Sequence, residues 1–309
     1  MSKTPAEAIL RGDRRALARG LTSVEGMGDD AATLLDALWP KTGRARRIGI
    51  TGPPGVGKST LATALVRIHR AAGRTVAVLA VDPSSPVTGG ALLGDRHRMA
   101  AEAADPGVFI RSFASRGSTG GLSRGAPFAL DVLDAAGFDV VLVETAGVGQ
   151  TEVEVASTAD SVAVVLSPES GDAVQAMKSG LLEIADVLCV NKADREGADD
   201  LVQALEGALD RGAPRPYRPP VVKTRATEGA APLHEALEAH GQWLGEGSRL
   251  AERRQKGLEQ RLRALVAGLL AERLLAGRDS LLGTRAAEAA AKRRSLLDAA
   301  RSTVEEILR

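Results

Sequence analysis

The chain has 309 residues, of which 44% are hydrophobic, so it is long enough to bury a full core in one large domain with extensions. Its formal net charge is +1 and only 2% of its residues are aromatic, which argues against nucleic acid or an anionic membrane as a partner. A single cysteine, Cys189, excludes an internal disulfide and a cysteine-rich zinc site.

The N-terminal segment is predicted to be helical. Residues 4–39 carry apolar side chains at helical spacing, and the basic linker KTGRARR then leads to the first strand. We take residues 1–45 as an N-terminal helical extension. The first residues lack the apolar core of a signal peptide and no run of about 18 apolar residues follows, so we expect a cytoplasmic chain without a membrane segment.

Residues 46–245 alternate short apolar, β-branched runs with helical stretches. The seven runs are RIGIT, TVAVLAVD, GVFIRS, DVVLVET, SVAVVLS, DVLCVNK and PPVVKT. Buried strands separated by helices are typical of parallel sheets that are covered on both faces. The predicted fold class is therefore α/β, with a doubly wound, mainly parallel sheet and helical extensions at both ends.

The strands stop near residue 245. Residues 248–276 and 284–308 are predicted to be charged, Ala- and Leu-rich helices. Their apolar stripes consist of Leu258, Leu262, Leu265 and Leu269, and of Leu297, Ala300, Val304 and Leu308. These stripes pack either on their own domain or on a second copy of the chain. We define residues 246–309 as a C-terminal helical dimerisation arm and keep the first alternative open.

The stretch GITGPPGVGKST joins the first strand to a helix through a glycine-rich bend. Its G-x-x-x-x-G-K-S pattern is that of a phosphate loop, in which backbone N–H groups and a helix N-terminus face phosphate oxygens. Lys58 would reach the β- and γ-phosphates, and Ser59 would ligate Mg²⁺. The alternative is a turn without a ligand. The loop and the sheet together predict a P-loop NTPase domain whose nucleotide contacts here are Gly52, Pro53, Pro54, Gly55, Val56, Gly57, Lys58, Ser59 and Thr60.

The motif NKAD at residues 191–194 follows a later strand and indicates guanine. The Asp194 carboxylate can accept hydrogen bonds from both N1–H and the 2-amino group of guanine, and adenine offers no such pair. Asn191 would brace the loop, and the Lys192 stem would lie along the base. The expected ligands are GTP and GDP. The contacts predicted on this side are Asn191, Lys192, Asp194, Thr224 and Ala226, with the Ala226 N–H facing the 6-keto oxygen.

A further set of residues would sense the γ-phosphate. Glu144 ends the DVVLV strand, where its carboxylate can hold the hydration shell of Mg²⁺, and the Gly147 N–H can bond the γ-phosphate. Asp82 and Asp95 are further candidate carboxylates for this ion. The alternative for Asp82 is a turn residue before proline, and for Asp95 it is a solvated charge or a helix N-cap. Gln150 either orients the attacking water or lies on the surface. The predicted metal residues are Ser59, Asp82, Asp95 and Glu144, and the predicted catalytic residues are Lys58, Asp95, Glu144 and Gln150.

The four histidines lie far apart in the sequence. Their spacing matches no metal-binding pattern, so we expect no ligand cluster among His69, His97, His234 and His240. A metallochaperone GTPase would be expected to carry a His-rich or Cys-containing tract. That function is therefore disfavoured.

The motifs together resemble the MeaB/ArgK family of P-loop GTPases over roughly residues 4–245; the blocks that carry the resemblance are GPPGVGKST, VDPSSPVTGGALLGDRHRM, RGSTGGL, GFDVVLVETAGVGQTE, GDAVQAMKSG and VNKAD. The resemblance implies a homodimer that hydrolyses GTP slowly. It further implies a chaperone of an adenosylcobalamin-dependent acyl-CoA mutase of the methylmalonyl-CoA type, which gates cofactor loading and protects the mutase. It assigns Mg²⁺-centred roles to Asp82, Asp95 and Glu144, and a signalling segment to Ser167–Gly180 with Asp172 and Lys178 as polar candidates.

The chain departs from the family pattern in three places. Residues 168–171 read PESG where a small-residue PGAG pattern is usual, which adds charge and bulk to the signalling segment. Ala146 stands where valine is usual, and residues 116–118 differ from a serine-rich version. Two other functions stay open: a phosphotransferase linked to amino-acid transport, as ArgK-type proteins were once interpreted, and a purely structural nucleotide site. The NKAD motif argues against the phosphotransferase. The complete set of predicted Mg²⁺ carboxylates argues against a purely structural nucleotide site.

Overall fold

The computed structural model describes residues 4–27, 29–82, 99, 101–114, 125–145, 157–170, 180–291 and 295–307. The strands are β1 Arg46–Thr51, β2 Val76–Asp82, β3 Val108–Ala114, β4 Val140–Thr145, β5 Ser161–Leu166, β6 Val187–Val190 and β7 Val221–Lys223. The helices are α1 Pro5–Leu10, α2 Arg14–Gly26, α3 Asp29–Leu38, α4 Lys58–Ala71, α5 Ala126–Ala135, α6 Leu181–Ile184, α7 Ala198–Arg211, α8 Ala231–Gly245, α9 Arg249–Leu275, α10 Asp279–Ala290 and α11 Leu296–Ile307. None of the described helices is both long enough and apolar enough to cross a lipid bilayer.

The seven described strands form one sheet in the order β3-β2-β4-β1-β5-β6-β7, and their pairings are parallel. The predicted doubly wound sheet is confirmed. From the central β1 the chain moves out to β2 and β3, returns to β4 beside β1, and then continues from β5 on the other side. Open α/β sheets bind ligands beyond the carboxyl ends of the strands, at the point where the direction of winding reverses.

Side chains of the sheet alternate between two apolar layers. On β2, Ala77, Leu79 and Val81 face the layer that contains α1 to α3 and α5, whereas Val76 and Val78 face the layer that contains α4 and α8. Both faces are therefore covered. This explains why the strands read as nearly continuous apolar runs in the sequence.

The N-terminal helices share a hydrophobic core with the sheet. Ile9 and Leu21 are fully buried in the layer to which α5 also contributes. Asp13 caps α2, because its Oδ1 accepts hydrogen bonds from the N–H groups of Arg15 and Ala16 at 2.8 and 3.0 Å. The helical character of this segment agrees with the sequence pattern. The division at residue 45 stays a prediction.

The chain forms two compact units, residues 1–255 and 256–309. In the first unit, the beginning of α9 is held by two ion pairs to residues that precede β5 and β6. Arg254 contacts both carboxylate oxygens of Asp160, at 2.7 and 2.8 Å, and Arg253 contacts those of Asp186 at 2.9 and 2.6 Å. The first turns of α9 therefore lie at the amino edge of the sheet, opposite the ligand crevice.

The second unit contains a helix break that the sequence pattern did not predict. Residues 284–308 were expected to form one helix, but α10 and α11 are separate. Ser295 Oγ accepts a hydrogen bond from the Asp298 N–H at 3.1 Å and so begins a new helix. Because the surrounding residues all favour helix, this one cap is easily overlooked. Leu308 and the side chain of Leu297, both in the predicted stripe, lie outside the described part of the chain.

Candidate nucleotide-binding site

The phosphate loop connects β1 to α4 at the carboxyl edge of the sheet. Gly52, Gly55 and Gly57 have φ angles of 136°, 80° and 99°, in a region that side chains disfavour. A Cβ on Gly52 would lie 2.0 Å from the carbonyl oxygen of Val165, and one on Gly57 would lie 2.4 Å from Asn191 Nδ2. The first and last glycines are therefore needed for close packing as well as for backbone direction.

Lys58 is the first residue of α4 and is buried. Its Nζ donates hydrogen bonds to the carbonyl oxygens of Gly52 and Pro53, each at 2.8 Å. The side chain thus folds back across the loop, so its ammonium group and the N-terminus of α4 lie at the same bend. Both carry positive charge, which favours a bound anion.

Two of the predicted Mg²⁺ residues are in direct contact. Ser59 Oγ, on α4, donates a hydrogen bond to Glu144 Oε1, at the end of β4, at 2.6 Å. Next to them in the sequence, Thr145 Oγ1 donates to Thr51 Oγ1 at 2.9 Å, a contact that the motif search did not predict. Its only sequence signal is a threonine at the end of each of two strands. Hydroxyl and carboxylate oxygens are ligands that Mg²⁺ accepts, so Ser59 and Glu144 fit that ion.

Asn191 connects the phosphate loop to the segment after β7. Its Nδ2 donates to the carbonyl oxygen of Val56 at 2.7 Å. Its Oδ1 accepts hydrogen bonds from the Ala226 N–H at 3.0 Å and from Thr224 Oγ1 at 3.1 Å. Thr224 Oγ1 also lies 3.1 Å from Sγ of Cys189, whose pKa is raised to about 12 by burial, so this thiol stays protonated.

The turn after β6 carries the remaining residues that were predicted to bind guanine. Lys192 has a φ of 56°, a left-handed conformation that is uncommon for lysine, and its Nζ lies 2.8 Å from Glu169 Oε2. Glu169 also pairs with Arg195. Asp194 is exposed in this turn. Glu169 belongs to the PESG segment, where the chain differs from the family pattern. This residue therefore contacts the predicted guanine-binding turn, and the sequence did not indicate that contact.

The structure brings together part of the predicted site. The loop residues 52–60, Glu144, the NKAD turn, Thr224 and Ala226 are described, with Val56 fully buried and Thr60 exposed. Outside the described residues lie Asp95, Ala146, Gly147, Gln150, Asp172, Lys178, the segment 116–118 and the side chain of Asp82. Their predicted roles stay predictions.

Two histidines that are distant in the sequence are neighbours in the fold. His69 on α4 and His234 on α8 have ring centroids 4.9 Å apart. Together with Glu238 they offer three possible ligand atoms that all lie within 4.8 Å of one another. The expectation that the histidines lie apart is wrong for His69 and His234, because the packing of α4 against α8 joins residues whose spacing in the sequence gives no signal.

Comparisons with known proteins agree with this arrangement. A sequence model of the family described as Methylmalonyl Co-A mutase-associated GTPase MeaB matches residues 17–279. A putative GTPase of Pyrococcus horikoshii is 47% identical over 274 residues, which cover 87% of this chain and 86% of that protein. The mitochondrial methylmalonic aciduria type A homolog of Caenorhabditis elegans is 34% identical over 280 residues, covering 82% and 69%.

A solved structure shows the same fold over almost the full length. The crystal structure of an LAO/AO transport system kinase has a TM-score of 0.76 and 29% identity, and the match covers 99% of this chain and 97% of that one. The family match includes the phosphate loop, the NKAD turn and all seven described strands. The chain therefore belongs to the MeaB family of GTPases.

Proposed function

We propose that this chain is a Mg²⁺-dependent GTP-hydrolysing switch that serves an adenosylcobalamin-dependent acyl-CoA mutase of the methylmalonyl-CoA type. In this role it would gate cofactor loading and protect the mutase, as a cytoplasmic homodimer. Membership of a family described as mutase-associated GTPases supports the reaction and the kind of partner. The similar C. elegans protein is itself named for methylmalonic aciduria.

The observation that carries the nucleotide assignment is the position of Asn191. This buried side chain bonds Val56 in the phosphate loop and Ala226 in the segment that is predicted to face guanine. One amide therefore bonds both segments that we propose to bind the nucleotide. Asp194 follows in the same turn, three residues on, which supports its proposed role in reading the base.

Each side chain of the site then has a defined task. Lys58 and the N–H groups at the start of α4 would bind the β- and γ-phosphates. Ser59 and Glu144 would hold Mg²⁺, and their mutual hydrogen bond orients the Ser59 hydroxyl. When bound, the ion supplies charge neutralisation at the transferred phosphoryl group. The protein positions the nucleotide and stabilises developing charge.

Exchange of Asp194 tests the base assignment. In Asp194→Asn, the hydrogen bonds to N1–H and the 2-amino group weaken, and we expect GTP affinity to fall about 100-fold. The new amide can donate to the 2-keto oxygen of xanthine, so XTP should bind better than in wild type. Glu196→Gln, an exposed change in the same turn, should leave both affinities unchanged. Equal GTP and ATP binding by the wild type would contradict the assignment.

The mutase role has its own test. GTP turnover is measured with and without a purified adenosylcobalamin-dependent acyl-CoA mutase from the same cell, and we expect the rate to change when the mutase is present. A non-cobalamin acyl-CoA enzyme serves as the control. An unchanged GTP turnover with each such mutase would remove the partner while leaving the GTPase assignment intact.

A phosphotransferase is the second candidate, because a solved structure that is similar over almost the full length is described as an LAO/AO transport system kinase. A kinase needs an acceptor, whereas a hydrolase releases the γ-phosphate to water. Turnover of γ-labelled GTP in the presence of amino acids and of amino-acid transport proteins from the same cell distinguishes the two. Label in inorganic phosphate alone supports hydrolysis, and label on an amino acid or on a transport protein supports the kinase.

A further inference from the structure

The packing of α4 against α8 creates a group of metal-ligating side chains away from the nucleotide site. His69 belongs to α4, and His234 and Glu238 belong to α8, four residues apart and so on one helix face. Their possible ligand atoms all lie within 4.8 Å of one another. His69 is ten residues after Ser59 on the same helix, which places it roughly 15 Å from the residues assigned to Mg²⁺.

Each of the two imidazoles has a nitrogen atom without a hydrogen-bond partner among the described residues. His69 is fully buried, and its Nε2 has no hydrogen-bond partner within the described part of the chain. Nδ1 of His234 is also buried and, within the same described ranges, has no partner. Leaving buried polar atoms unpaired costs free energy, so such atoms call for an explanation. A lone pair on each imidazole could be satisfied by a cation.

The surroundings of both rings favour the neutral imidazole over the charged form. Burial, together with the neighbouring His234 and Arg74, lowers the pKa of His69 to about 4. Burial likewise lowers the pKa of His234. Neutral imidazole is the form in which histidine is a metal ligand.

We propose that His69, His234 and Glu238 form a binding site for one divalent transition-metal ion of the zinc class, distinct from the Mg²⁺ of the nucleotide site. Two nitrogen ligands and one carboxylate suit Zn²⁺ or Co²⁺, whereas Mg²⁺ prefers oxygen alone. The ion would link α4, which begins at the phosphate loop, to α8, which follows Ala226. It would therefore stabilise the helices behind both ends of the nucleotide site.

Two arginines compete with the ion for the carboxylate. Arg74 Nη1 lies 3.2 Å from Glu238 Oε1 and 3.4 Å from His69 Nδ1, and Arg46 pairs with the same Oε1. Both described ion pairs use Oε1, so Oε2 is the oxygen we assign to the metal. The Arg74 side chain is 40% exposed and can turn into solvent when a cation binds. Of the two arginines, Arg74 is therefore the one that we expect to move away when a cation binds.

Titration with Co²⁺ tests the proposal on the full-length protein loaded with GDP and excess Mg²⁺. We expect one equivalent of Co²⁺ to give a visible absorption band that Zn²⁺ abolishes and further Mg²⁺ does not. Glu238→Gln and His234→Ala should weaken Co²⁺ binding roughly tenfold or more. Arg74→Ala should strengthen it, because it removes a competing positive charge. Glu246→Gln, an exposed change directly after the same helix, should have no effect.

The variants separate a metal site from a merely structural cluster. His69→Ala is not used, because the fully buried ring also fills the core. A structural cluster predicts that Arg74→Ala loosens the helices without any gain in Co²⁺ affinity. The proposal is overturned if no saturable Co²⁺ band appears, if the band persists unchanged in Glu238→Gln and His234→Ala, or if Arg74→Ala fails to increase affinity.

Discussion

Gly52 and Gly55 belong to the same phosphate loop and both have positive φ, yet their surroundings differ. A Cβ at Gly52 would meet the Val165 carbonyl oxygen at 2.0 Å, whereas nothing lies within 4 Å of one at Gly55. The motif fixes both as part of one loop. Only the approach of β5 shows that one of them is also required by packing.

This difference gives a prediction with an internal control. Gly52→Ala should lower the free energy of unfolding by about 3 kcal/mol or more, because a strand backbone must move and the new residue is strained. Gly55→Ala should cost about 1 kcal/mol, from strain alone. Urea unfolding of both variants without nucleotide measures the difference. Equal losses would show that the contact with Val165 has no energetic role.

Lys58 is the residue on which we expect phosphate stabilisation to depend most. Its Nζ is held inside the loop by the carbonyl oxygens of Gly52 and Pro53, so it is positioned before any nucleotide binds. Lys58→Ala should reduce kcat for GTP at least about 100-fold, the loss expected for one positioned donor. Lys223→Ala removes an exposed lysine paired with Asp199 and is the control. Retained kcat in Lys58→Ala would contradict the assigned role.

At the scale of elements, Asp134 at the end of α5 holds the linker that leads into β1. It accepts hydrogen bonds from the N–H groups of Gly43, Arg44 and Ala45 at 2.8 to 3.0 Å and pairs with Arg47 at 2.8 Å. Burial by itself would raise the pKa of Asp134, but the Ala45 N–H and Arg47 outweigh it and the pKa is lowered. This contact was not predicted, because no local pattern joins the linker to a helix so far along the chain.

The lowered pKa of Asp134 determines the sign of its pH effect. Its contribution to stability is complete above the ordinary pKa of 3.8 and is lost as the pH falls through the lower pKa of the folded state. Asp134→Asn should reduce the free energy of unfolding by about 3 kcal/mol at neutral pH and flatten its decline below pH 3.8. Asp210→Asn, in an exposed pair with Arg218, should cost less than about 1 kcal/mol. Urea unfolding measured across acidic pH checks both, and parallel acid profiles for wild type and Asp134→Asn would contradict the assignment.

At the scale of the whole molecule, the sheet and the nucleotide motifs could be predicted because each is a local pattern. The seven apolar runs became the seven described strands, and the phosphate loop lies between the first strand and the helix that follows it. Contacts between distant segments could not be predicted in this way. The bond from Asn191 to Val56, the meeting of His69 with His234, and the cap that separates α10 from α11 all depend on packing or on one residue in a uniform helical background.

The apolar stripe of α9 raises the question of what covers it. Leu262 and Leu269 lie on the same face of the helix, about two turns apart, and are 62% and 65% exposed. Leu258, Val266 and Leu270 are also exposed. A row of exposed leucines of this kind is typical of an interface, and the residues lie in the segment predicted to form a dimerisation arm.

We therefore expect the wild type to be a dimer and Leu262→Glu/Leu269→Glu to be a monomer, because two charges would be placed in the apolar contact. Light scattering after size-exclusion chromatography measures the mass of each. Arg263→Glu changes an exposed charge on the same helix and should leave the dimer intact. GTP turnover without the mutase should persist in the monomer, since the loop and the NKAD turn both belong to residues 1–255. A monomeric wild type, or a double variant that remains dimeric, would show that α9 is not the interface.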